Sequence, residues 1–378
     1  MMKNTTHSEC MRPTRVEVTL DVLADNYRLI SDFVGRAKVM PVLKADAYGH
    51  GLIPCAKRLE QVGADIFGVA FLEEALQLRS AGIGKPILAL GGVSGSQVAT
   101  FIENDIDITA SSIMKLEAID SMAAELGKKA RVHLKIDTGM ERIGQHYYTS
   151  EKFLEAALRA KNCELIGVFS HFVKAEDDGR DFTELQLERF LESISFFEKR
   201  SIPMPLRHMA NSGAILQYPD AHLDLVRPGL ILYGVSPILR EKHALAVKPA
   251  LTLRSEVVYF KVVPADTGVS YEHIEKTSQQ TRVVTIPAGY GDGYTRRLSG
   301  CGRVIVRGKS YPIIGRVCMD QFMVDLGPDG EAYNSDEVIL IGKQGNETIT
   351  VEELSALAEI DPRDLLLRLS LRAPKVYS

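Results

Sequence analysis

Apolar and polar residues alternate along the first two thirds of the chain in a pattern of short strands and longer helices. Eight short runs are rich in Val, Ile, Leu and Ala, and amphipathic segments separate most of them. In chain order these runs are KVMPVL, DIFGVA, PILAL, IDITA, RVHLKID, LIGVFSH, LRHMA and LDLVRPG. Eight strands that alternate with helices are typical of a (β/α)₈ barrel. The pattern therefore predicts an α/β fold in which residues 21–247 form a TIM-like barrel.

The pattern changes near Pro249, where short strands follow one another with Gly, Pro and Asp turns between them. One helical stretch, residues 351–358, interrupts these strands. This pattern of short strands and turns predicts a β-rich C-terminal domain over residues 248–378. The early run RVEVTL, residues 15–20, also alternates but would make a ninth strand in the barrel. We therefore expect it to pair with the second domain.

Composition and charge exclude several classes of protein. The chain has 378 residues, with 45 Lys and Arg against 49 Asp and Glu and a net charge of −4. Scattered charges of this kind form no basic face for a phosphate backbone, so we expect no nucleic-acid partner. No stretch reaches the roughly 18 apolar residues that cross a bilayer, and no apolar signal segment is visible. We therefore expect no membrane association and a cytoplasmic location.

Cysteine usage gives no sign of a structural metal or a disulfide framework. The chain has five cysteines, an odd number, and none of them stands in a CxxC pair. Reduced thiols fit this spacing better than disulfides or a zinc site. We expect no metal.

Polar residues concentrate where the predicted barrel strands end, which is where barrels of this kind place their active sites. Lys44 ends the first run in the segment VLKADAYGHG. A lysine that is desolvated at a barrel mouth has a lowered pKa and can form an imine with an aldehyde cofactor. The alternative for an isolated lysine at a strand end is a side chain that extends into solvent.

The last two strands end in segments with the composition of a phosphate site. HMANSGA and RPGLILYG supply Ser212, Gly229 and Leu230. Loops after the seventh and eighth strands of barrels commonly bind phosphate through backbone N–H groups and small hydroxyls. Asn-Ser-Gly is also a common turn and helix cap, so both interpretations stay open.

Charged residues at the ends of the fifth and sixth strands form a second candidate group. The segments KIDTGMERIG and FSHFVKAEDD contain Lys135, Asp137, Arg142 and His171. Buried charges need partners, so these residues predict a connected polar network around a ring. A structural histidine is the alternative for His171. In the second domain, the glycine-rich segments GVSY, AGYGDGYTRR and IGRVCMDQ are typical of hairpin turns.

Taken together, these segments resemble one family. VLKADAYGHG, DTGMERIG, SHF, HMANSG, RPGLILYG, VSYE, GYGDGY and GRVCMDQ occur in the order and at the approximate spacings of bacterial alanine racemases. Members of that family use pyridoxal 5′-phosphate to interconvert L- and D-alanine. The resemblance covers essentially the whole chain after the first dozen residues. It implies a homodimer with shared active sites, a small amino-acid substrate, and a role in supplying D-alanine for peptidoglycan or in alanine catabolism.

The resemblance also implies a role for each matching residue. Lys44 would hold the cofactor and act as the base on one face of the substrate Cα, and Tyr271 of the partner subunit would be the base on the opposite face. Racemisation needs two such bases. The residues that it implies for the cofactor phosphate are Tyr48, Ser212, Gly229 and Leu230.

Five further residues complete the implied site. Arg227 would face the pyridine nitrogen and His171 would lie against the ring. Arg142 would neighbour the phenolic oxygen of the cofactor and the substrate carboxylate, and the backbone of Met319 of the partner subunit would bind that carboxylate. In the family the lysine that matches Lys135 is often carbamylated and holds the arginine in place.

Three positions depart from the family pattern. Glu141 and Glu272 stand where glycine is common, and both neighbour proposed substrate contacts. The preference for alanine over serine or a larger amino acid is therefore open. Leu371 stands where some members carry a tyrosine near the phosphate.

Three other functions stand as alternatives to alanine racemisation. The first is a racemase of broader specificity. The second is a pyridoxal-phosphate-dependent decarboxylase, which shares the barrel and β-domain plan but has a different segment around the lysine. The third is a non-catalytic barrel that carries the cofactor, but such proteins lack the β-rich domain predicted here.

Overall fold

The structure is a computed structural model that describes residues 12–177, 179–238, 245–369 and 372–378. The chain divides into two compact units. The barrel unit consists of residues 23–47 and 52–247. The β unit consists of residues 48–51, 248–378 and the N-terminal stretch up to residue 22. Leu371 and Cys10 lie outside the described residues.

All eight predicted runs form parallel strands in the barrel unit, as the sequence predicted. Strands two to seven lie side by side in one sheet, and strand eight pairs with strand one. Barrel strands one to eight are Lys38–Val39, Phe67–Val69, Ile87–Ala89, Asp107–Ala110, Ala130–Asp137, Cys163–Phe169, Leu206–His208 and Leu225–Val226. A short strand, Gln145–His146, adds to the fifth.

Backbone hydrogen bonds close the barrel at its two remaining seams. The N–H of Leu43 donates to the carbonyl of Gly68 at 2.7 Å, which joins strands one and two. The N–H of Arg227 donates to the carbonyl of Ala210 at 2.9 Å, which joins strands seven and eight. The C-terminal ends of strands one, seven and eight therefore share one rim.

Helices alternate with the barrel strands, and most of them bury one face. In the first helix, Leu23, Tyr27 and Ile30 recur at helical spacing and are buried. The strands are buried on both faces, as in Asp107–Ala110, which is typical of parallel sheets. The helices are Leu20–Val34, Leu52–Gln61, Leu72–Ser80, Val98–Glu103, Ile113–Glu125, Ser150–Arg159, Asp181–Lys199 and Ser212–Gln217.

The β unit is built around a ten-stranded sheet and two helices, Val351–Ala358 and Pro362–Leu369. Its strands, including the separate pair Gly268–Val269 and Glu275–Lys276, are Arg15–Val18, Leu251–Glu256, Tyr259–Val263, Gly268–Val269, Glu275–Lys276, Thr281–Ile286, Arg303–Val306, Lys309–Ile314, Phe322–Asp325, Glu337–Gln344, Glu347–Ile349 and Lys375–Tyr377.

The N-terminal strand lies inside this sheet. Arg15–Val18 pairs with Leu251–Glu256 on one side and with Lys375–Tyr377 on the other. The strand is shorter than the predicted 15–20, because a helix begins at Leu20. The N–H of Leu20, which has no acceptor within its own helix, donates to the carbonyl of Ser378 at 2.8 Å.

Two of the three glycine-rich segments are the predicted hairpin connections. GVSY and IGRVCMDQ each lie between antiparallel neighbours. The prediction is wrong for AGYGDGYTRR, which joins strands that are not neighbours in the sheet. Its Gly293 has φ +90°, and a Cβ there would lie 2.1 Å from the backbone of Arg368. The segment is therefore glycine-rich because it packs directly on the helix Pro362–Leu369.

Two remaining features concern membrane helices and thiols. Within the described ranges, no helix combines the length and the apolar character that crossing a membrane requires. The four cysteines that the structure describes are all free thiols, and they are Cys55, Cys163, Cys301 and Cys318.

Candidate active site

Lys44 lies at the C-terminal end of the first barrel strand, and its side chain is exposed. The backbone immediately after it turns in the left-handed sense, with φ of 53°, 55° and 54° at Ala45, Asp46 and Ala47. This conformation costs roughly 1–2 kcal/mol per residue other than glycine. Specific contacts are therefore needed to hold the turn.

Three hydrogen bonds hold this turn. The N–H of Ala47 donates to the carbonyl of Leu43 at 2.8 Å. The carboxylate of Asp46 accepts from the N–H of Leu52 at 2.8 Å, and the N–H of Ala45 donates to Glu74 Oε1 at 2.6 Å. The turn that follows Lys44 is thus fixed by backbone and side-chain partners.

Arg227 lies at the end of the eighth strand and is only 4% exposed. Burial lowers its pKa to about 9, which still leaves the guanidinium protonated at neutral pH. Its Nη2 donates to the carbonyl of Ser170 at 2.7 Å and to that of Met209 at 3.1 Å. It also lies 3.1 Å from His171 Nδ1, while Nη1 lies 2.9 Å from His208 Nδ1.

Two buried histidines continue the chain of hydrogen bonds away from Arg227. His208 Nε2 lies 3.0 Å from His133 Nδ1, and His133 Nε2 lies 3.3 Å from Asp107 Oδ2. Arg131 holds the other oxygen of Asp107 at 2.7 Å. The chain therefore runs through the interior from a guanidinium to a carboxylate.

The direction of each bond in this chain follows from its two ends. A guanidinium only donates, so the Nδ1 atoms of His171 and His208 are acceptors without a proton. His208 then carries its proton on Nε2 and donates to His133, which in turn donates to Asp107. Burial alone would raise the pKa of Asp107, but hydrogen bonds from His133 and Arg131 outweigh it and hold that pKa below its usual value. The two histidines are therefore neutral between fixed charges.

Positive charge accumulates around His171. Burial lowers the pKa of its imidazole well below the usual value, and the charges of Arg227, Lys135, Arg142 and Lys44 lower it further. His171 is therefore a neutral acceptor in a strongly positive region.

Lys135 lies on the fifth strand in the same region and is 3% exposed. Burial lowers its pKa well below the usual value, the charges of Arg227 and Arg142 add to this, and Asp137 opposes them. The Nζ of Lys135 lies 5.0 Å from the centroid of the Phe169 ring. Burial therefore favours the uncharged amine, in a site that would attract an anion.

Three of the four candidate phosphate residues, all but Tyr48, come together. Ser212 Oγ accepts hydrogen bonds from the N–H of Gly229 at 3.0 Å and from that of Ile231 at 3.4 Å. A Cβ at Gly213 would lie 2.8 Å from the carbonyl oxygen of Ala175, so the backbone passes too close there for a side chain. Leu230 lies between the two donors along the chain and is buried.

Tyr271 and Met319 lie in the β unit, as does Tyr48. Tyr271 is 68% exposed and Met319 is 53% exposed. Both line one cavity of about 540 Å³. Its lining residues are Ser270, Tyr271, Cys318, Met319, Asp320, Gln321 and Met323. Tyr48 is buried, and its carbonyl accepts a hydrogen bond from His50 Nδ1 at 3.0 Å.

Arg316 contacts both neighbours of Tyr271. Ser270 Oγ donates to the carbonyl of Arg316 at 2.8 Å. The carboxylate of Glu272 accepts from Arg316 Nε at 3.2 Å and Nη2 at 2.5 Å. Ser270 and Glu272 both have positive φ, 66° and 65°. Arg316 therefore holds the residues on both sides of Tyr271.

The donor set around Arg227 fits an anionic aromatic group such as the pyridoxal 5′-phosphate that the resemblance implies. Lys44, Arg142, Arg227 and Lys135 are cationic or potentially cationic groups around His171, and the Ser212 hydroxyl, which accepts from the N–H of Gly229, lies at the same rim. A phosphate and a phenolate would balance this charge. Across the described residues, no three His, Cys, Asp or Glu side chains form a group that could hold a metal ion.

Sequence reasoning missed His133, His208, Asp107 and Glu74. A signal for His133 was present, because His133, Lys135 and Asp137 alternate with apolar residues along the fifth strand. Residues two apart on a strand share one face, so these three polar side chains point to the same side of the sheet. Such a polar stripe in an otherwise buried strand indicates a network in the barrel.

Two family models match the chain over most of its length. The alanine racemase N-terminal domain family matches residues 18–237, and the alanine racemase C-terminal domain family matches residues 250–377. A relative from Caldanaerobacter subterraneus subsp. tengcongensis, alanine racemase 2, is 41% identical over 369 residues, which are 97% of this chain and 95% of the relative.

Solved structures give the same result. The alanine racemase from D-cycloserine-producing Streptomyces lavendulae has a TM-score of 0.92 and is 38% identical, with 98% of each chain covered. The alanine racemase from Bartonella henselae, with covalently bound pyridoxal phosphate, has a TM-score of 0.88 and is 28% identical, with 97% of this chain and 99% of that chain covered.

The buried histidines make stability depend on pH. An unfolded histidine has a pKa of about 6.5, and burial followed by the charge of Arg227 lowers that of His208 well below this value. Below pH 6.5 the unfolded chain binds a proton that the folded chain does not, so stability falls as the pH falls. We expect His208 to contribute a loss of about 1.4 kcal/mol per pH unit below that pH.

The variant His208→Gln tests this, because a glutamine amide also accepts on one side and donates on the other. Urea unfolding should show that the variant loses about 2 kcal/mol less stability than the unmodified enzyme between pH 7 and pH 5, since the effect builds up only below about pH 6.5. His146→Gln, on a side chain outside the network, is the control. Equal slopes for His208→Gln and the unmodified enzyme would contradict the assignment.

Proposed function

The chain belongs to the alanine racemase family, and from this premise we propose that Lys44 and Tyr271 are the two bases of its reaction. Members of the family are pyridoxal-phosphate-dependent isomerases, so the enzyme interconverts L- and D-alanine with that cofactor. The observation that carries the residue assignment is the position of Lys44 next to the strand end that carries Arg227, where the N–H of Val42 donates to the carbonyl of Pro228 at 3.0 Å.

The bound cofactor supplies an electron-withdrawing ring that spreads the negative charge left when the α-proton of alanine is removed. The protein supplies the proton transfers. Lys44 Nζ exchanges the α-proton on one face of Cα, and Tyr271 Oη exchanges it on the other. Inversion follows because the proton leaves on one face and returns on the opposite face.

Arg227 and Arg142 set the charge around the reacting groups. The Arg227 guanidinium would face the ring nitrogen and, with a pKa of about 9, would donate a hydrogen bond there without giving up its proton. This keeps the ring a moderate electron sink and limits side reactions such as transamination. Arg142 neighbours the phenolic oxygen and the substrate carboxylate, and His171 lies against the ring.

The remaining contacts orient the phosphate of the cofactor and the carboxylate of the substrate. The hydroxyls of Tyr48 and Ser212 and the backbone at Gly229 and Leu230 bind the phosphate. The backbone of Met319 of the partner subunit binds the substrate carboxylate. Support for a joint role of Tyr271 and Met319 comes from the cavity that both residues line.

The same proposal makes the enzyme a cytoplasmic homodimer in which residues 21–247 bind the cofactor and residues 248–378 deliver Tyr271 to the partner. It acts in D-alanine supply for peptidoglycan or in alanine catabolism. Preference for alanine is supported by the backbone at Glu141 and Glu272, where φ is 53° and 65°. These are glycine-like conformations, so the glutamates follow the backbone path that the family's common glycine would allow.

Reduction with borohydride tests the cofactor assignment. The purified enzyme should be yellow, and borohydride should fix the pyridoxyl group on the peptide that contains Lys44. Lys44→Ala should lose both the label and racemisation, because one residue serves as the attachment point and as a base. A label on Lys135 or another lysine would refute the assignment.

Lys135 is proposed to carry a carbamate. Burial lowers the pKa of its amine and so favours the uncharged form, which attacks CO₂. A C–N bond forms, the nitrogen loses a proton to solvent, and the product is an anion. That anion would replace repulsion from Arg142 and Arg227 by attraction. Lys135→Ala should therefore lose most activity and regain part of it with added acetate.

The control for this prediction is Lys128→Ala, at an exposed lysine on the same unit. It should neither lose activity nor respond to acetate. Intact mass of the enzyme kept under CO₂ should show one added carboxylate. An unmodified Lys135 in that spectrum, together with no acetate response, would leave the carbamate without support.

The shared active site is tested by mixing two inactive variants. If the bases come from different subunits, a dimer of one Lys44→Ala and one Tyr271→Phe chain has one complete site. Random pairing of equal amounts should therefore restore about a quarter of the unmodified activity. Tyr271→Phe alone should still exchange the α-proton of one enantiomer, expected to be D-alanine, with solvent. No recovery in proven mixed dimers would place both bases on one chain.

A further inference from the structure

Glu74 connects the ends of the first two barrel strands. It lies in the first turn of the helix Leu72–Ser80, directly after the second strand. Its Oε2 accepts from the N–H of Ala70 at 2.7 Å and from that of Phe71 at 3.3 Å. Its Oε1 accepts from the N–H of Ala45 at 2.6 Å. One carboxylate therefore joins its own strand end to the residue that follows Lys44.

The two oxygens of the Glu74 carboxylate have different roles. The bonds from Ala70 and Phe71 cap the start of a helix, which is an ordinary role for a glutamate at this position. The bond from Ala45 has no part in that cap, because Ala45 lies on the neighbouring strand end. It holds the first residue of the left-handed turn, where φ is 53° at an alanine. Without a partner, this backbone would relax towards the right-handed conformation that alanine prefers.

We propose that Glu74 is a positioning residue for Lys44, which holds the left-handed turn so that the lysine amine points to the reacting carbon. The inference rests on the proposed role of Lys44. Glu74 touches neither substrate nor cofactor in this assignment, and acts through the N–H of Ala45. A carboxylate is required because all three partners are N–H donors, and a glutamine would turn an NH₂ group towards one of them.

The test compares Glu74→Gln with Glu73→Gln in the enzyme loaded with its cofactor. Glu73 is the preceding residue on the same helix, is exposed, and accepts a 3.4 Å hydrogen bond from Gln97 Nε2. Both variants remove one negative charge from the same helical turn, but only Glu74→Gln alters the bond to Ala45. Any difference between them therefore reports that bond and the adjoining cap.

Hydrogen exchange gives a readout that does not depend on turnover. In Glu74→Gln, the peptide that contains Ala45 should exchange about tenfold faster, because one hydrogen bond to a charged acceptor is lost. The kcat for alanine should fall about tenfold to a hundredfold, since a small displacement of a catalytic group is costly. The KM should change by less than about twofold. Glu73→Gln should match the unmodified enzyme in all three measurements.

A second substitution separates the turn from the helix cap. Glycine adopts the left-handed conformation without strain, so Ala45→Gly should restore part of the lost kcat when combined with Glu74→Gln. A role of Glu74 in capping alone predicts no such rescue. If Glu74→Gln does not fold, Glu74→Asp replaces it, because the aspartate keeps two acceptors but is too short to reach both strand ends.

The outcomes divide clearly. Faster exchange at the Ala45 peptide, a lower kcat and rescue by Ala45→Gly support the proposal. Unchanged exchange and kcat, or a loss that Ala45→Gly does not reduce, overturns it. Borohydride labelling of the unmodified enzyme is run in parallel. A label on another lysine would refute the proposed function, whereas the exchange rates would still report on the turn.

Discussion

A buried guanidinium is the constraint on which the rest of the barrel interior depends. Arg227 is almost fully enclosed, and an unpaired charge in that position would be prohibitively costly. Two carbonyls and two imidazoles therefore receive its N–H groups. Because the guanidinium can only donate, it fixes the tautomers of both histidines. The network then continues to Asp107, whose negative charge ends the chain inside the barrel. Arg227, at the end of the eighth strand, thus fixes which ring nitrogens carry a proton on His133, His171 and His208. These histidines lie on three other strands or at their ends.

The same excess of positive charge explains how the site suits its cofactor. Burial, and then the charge of Arg227, lower the pKa values of Lys135, His171 and His208 well below their usual range, which favours the uncharged form of each side chain. In the proposed site, Arg142 would neighbour the phenolic oxygen of the cofactor and Arg227 would face its ring nitrogen. An anion in this region, like the carbamate proposed at Lys135, would offset the repulsion between these cations. The lowered pKa values and the suitability of the site for an anion therefore have one physical origin.

The sequence predicted the barrel and the β-rich domain because both rest on local periodicity. Eight apolar runs separated by helices strongly favour a (β/α)₈ barrel. The alternation of Val16 and Val18 with polar residues marks the N-terminal strand. The candidate site was accessible through strand ends and through the resemblance. What could not be predicted depends on contacts between distant segments. The hydrogen bond between His133 and His208 joins residues 75 positions apart, and the bond between Ala45 and Glu74 joins residues 29 positions apart. The left-handed turn after Lys44 contradicts the preference of alanine, so local propensity points away from it.

Glu141 and Glu272 show why a departure from a family pattern need not change a site. Both have positive φ, which accounts for the glycine that is common there. At Glu272 the carboxylate binds Arg316, and the Arg316 hydrogen bond, followed by its charge, lowers the pKa of that carboxyl. This contact offsets part of the cost of placing a side chain in the left-handed region. The backbone around Tyr271 is therefore held by an exposed ion pair, which salt screens, whereas Lys44 depends on bonds to backbone groups that salt affects far less. The two proposed bases thus occupy positions that are stabilised by different physical interactions, although the reaction requires both to act on one carbon atom.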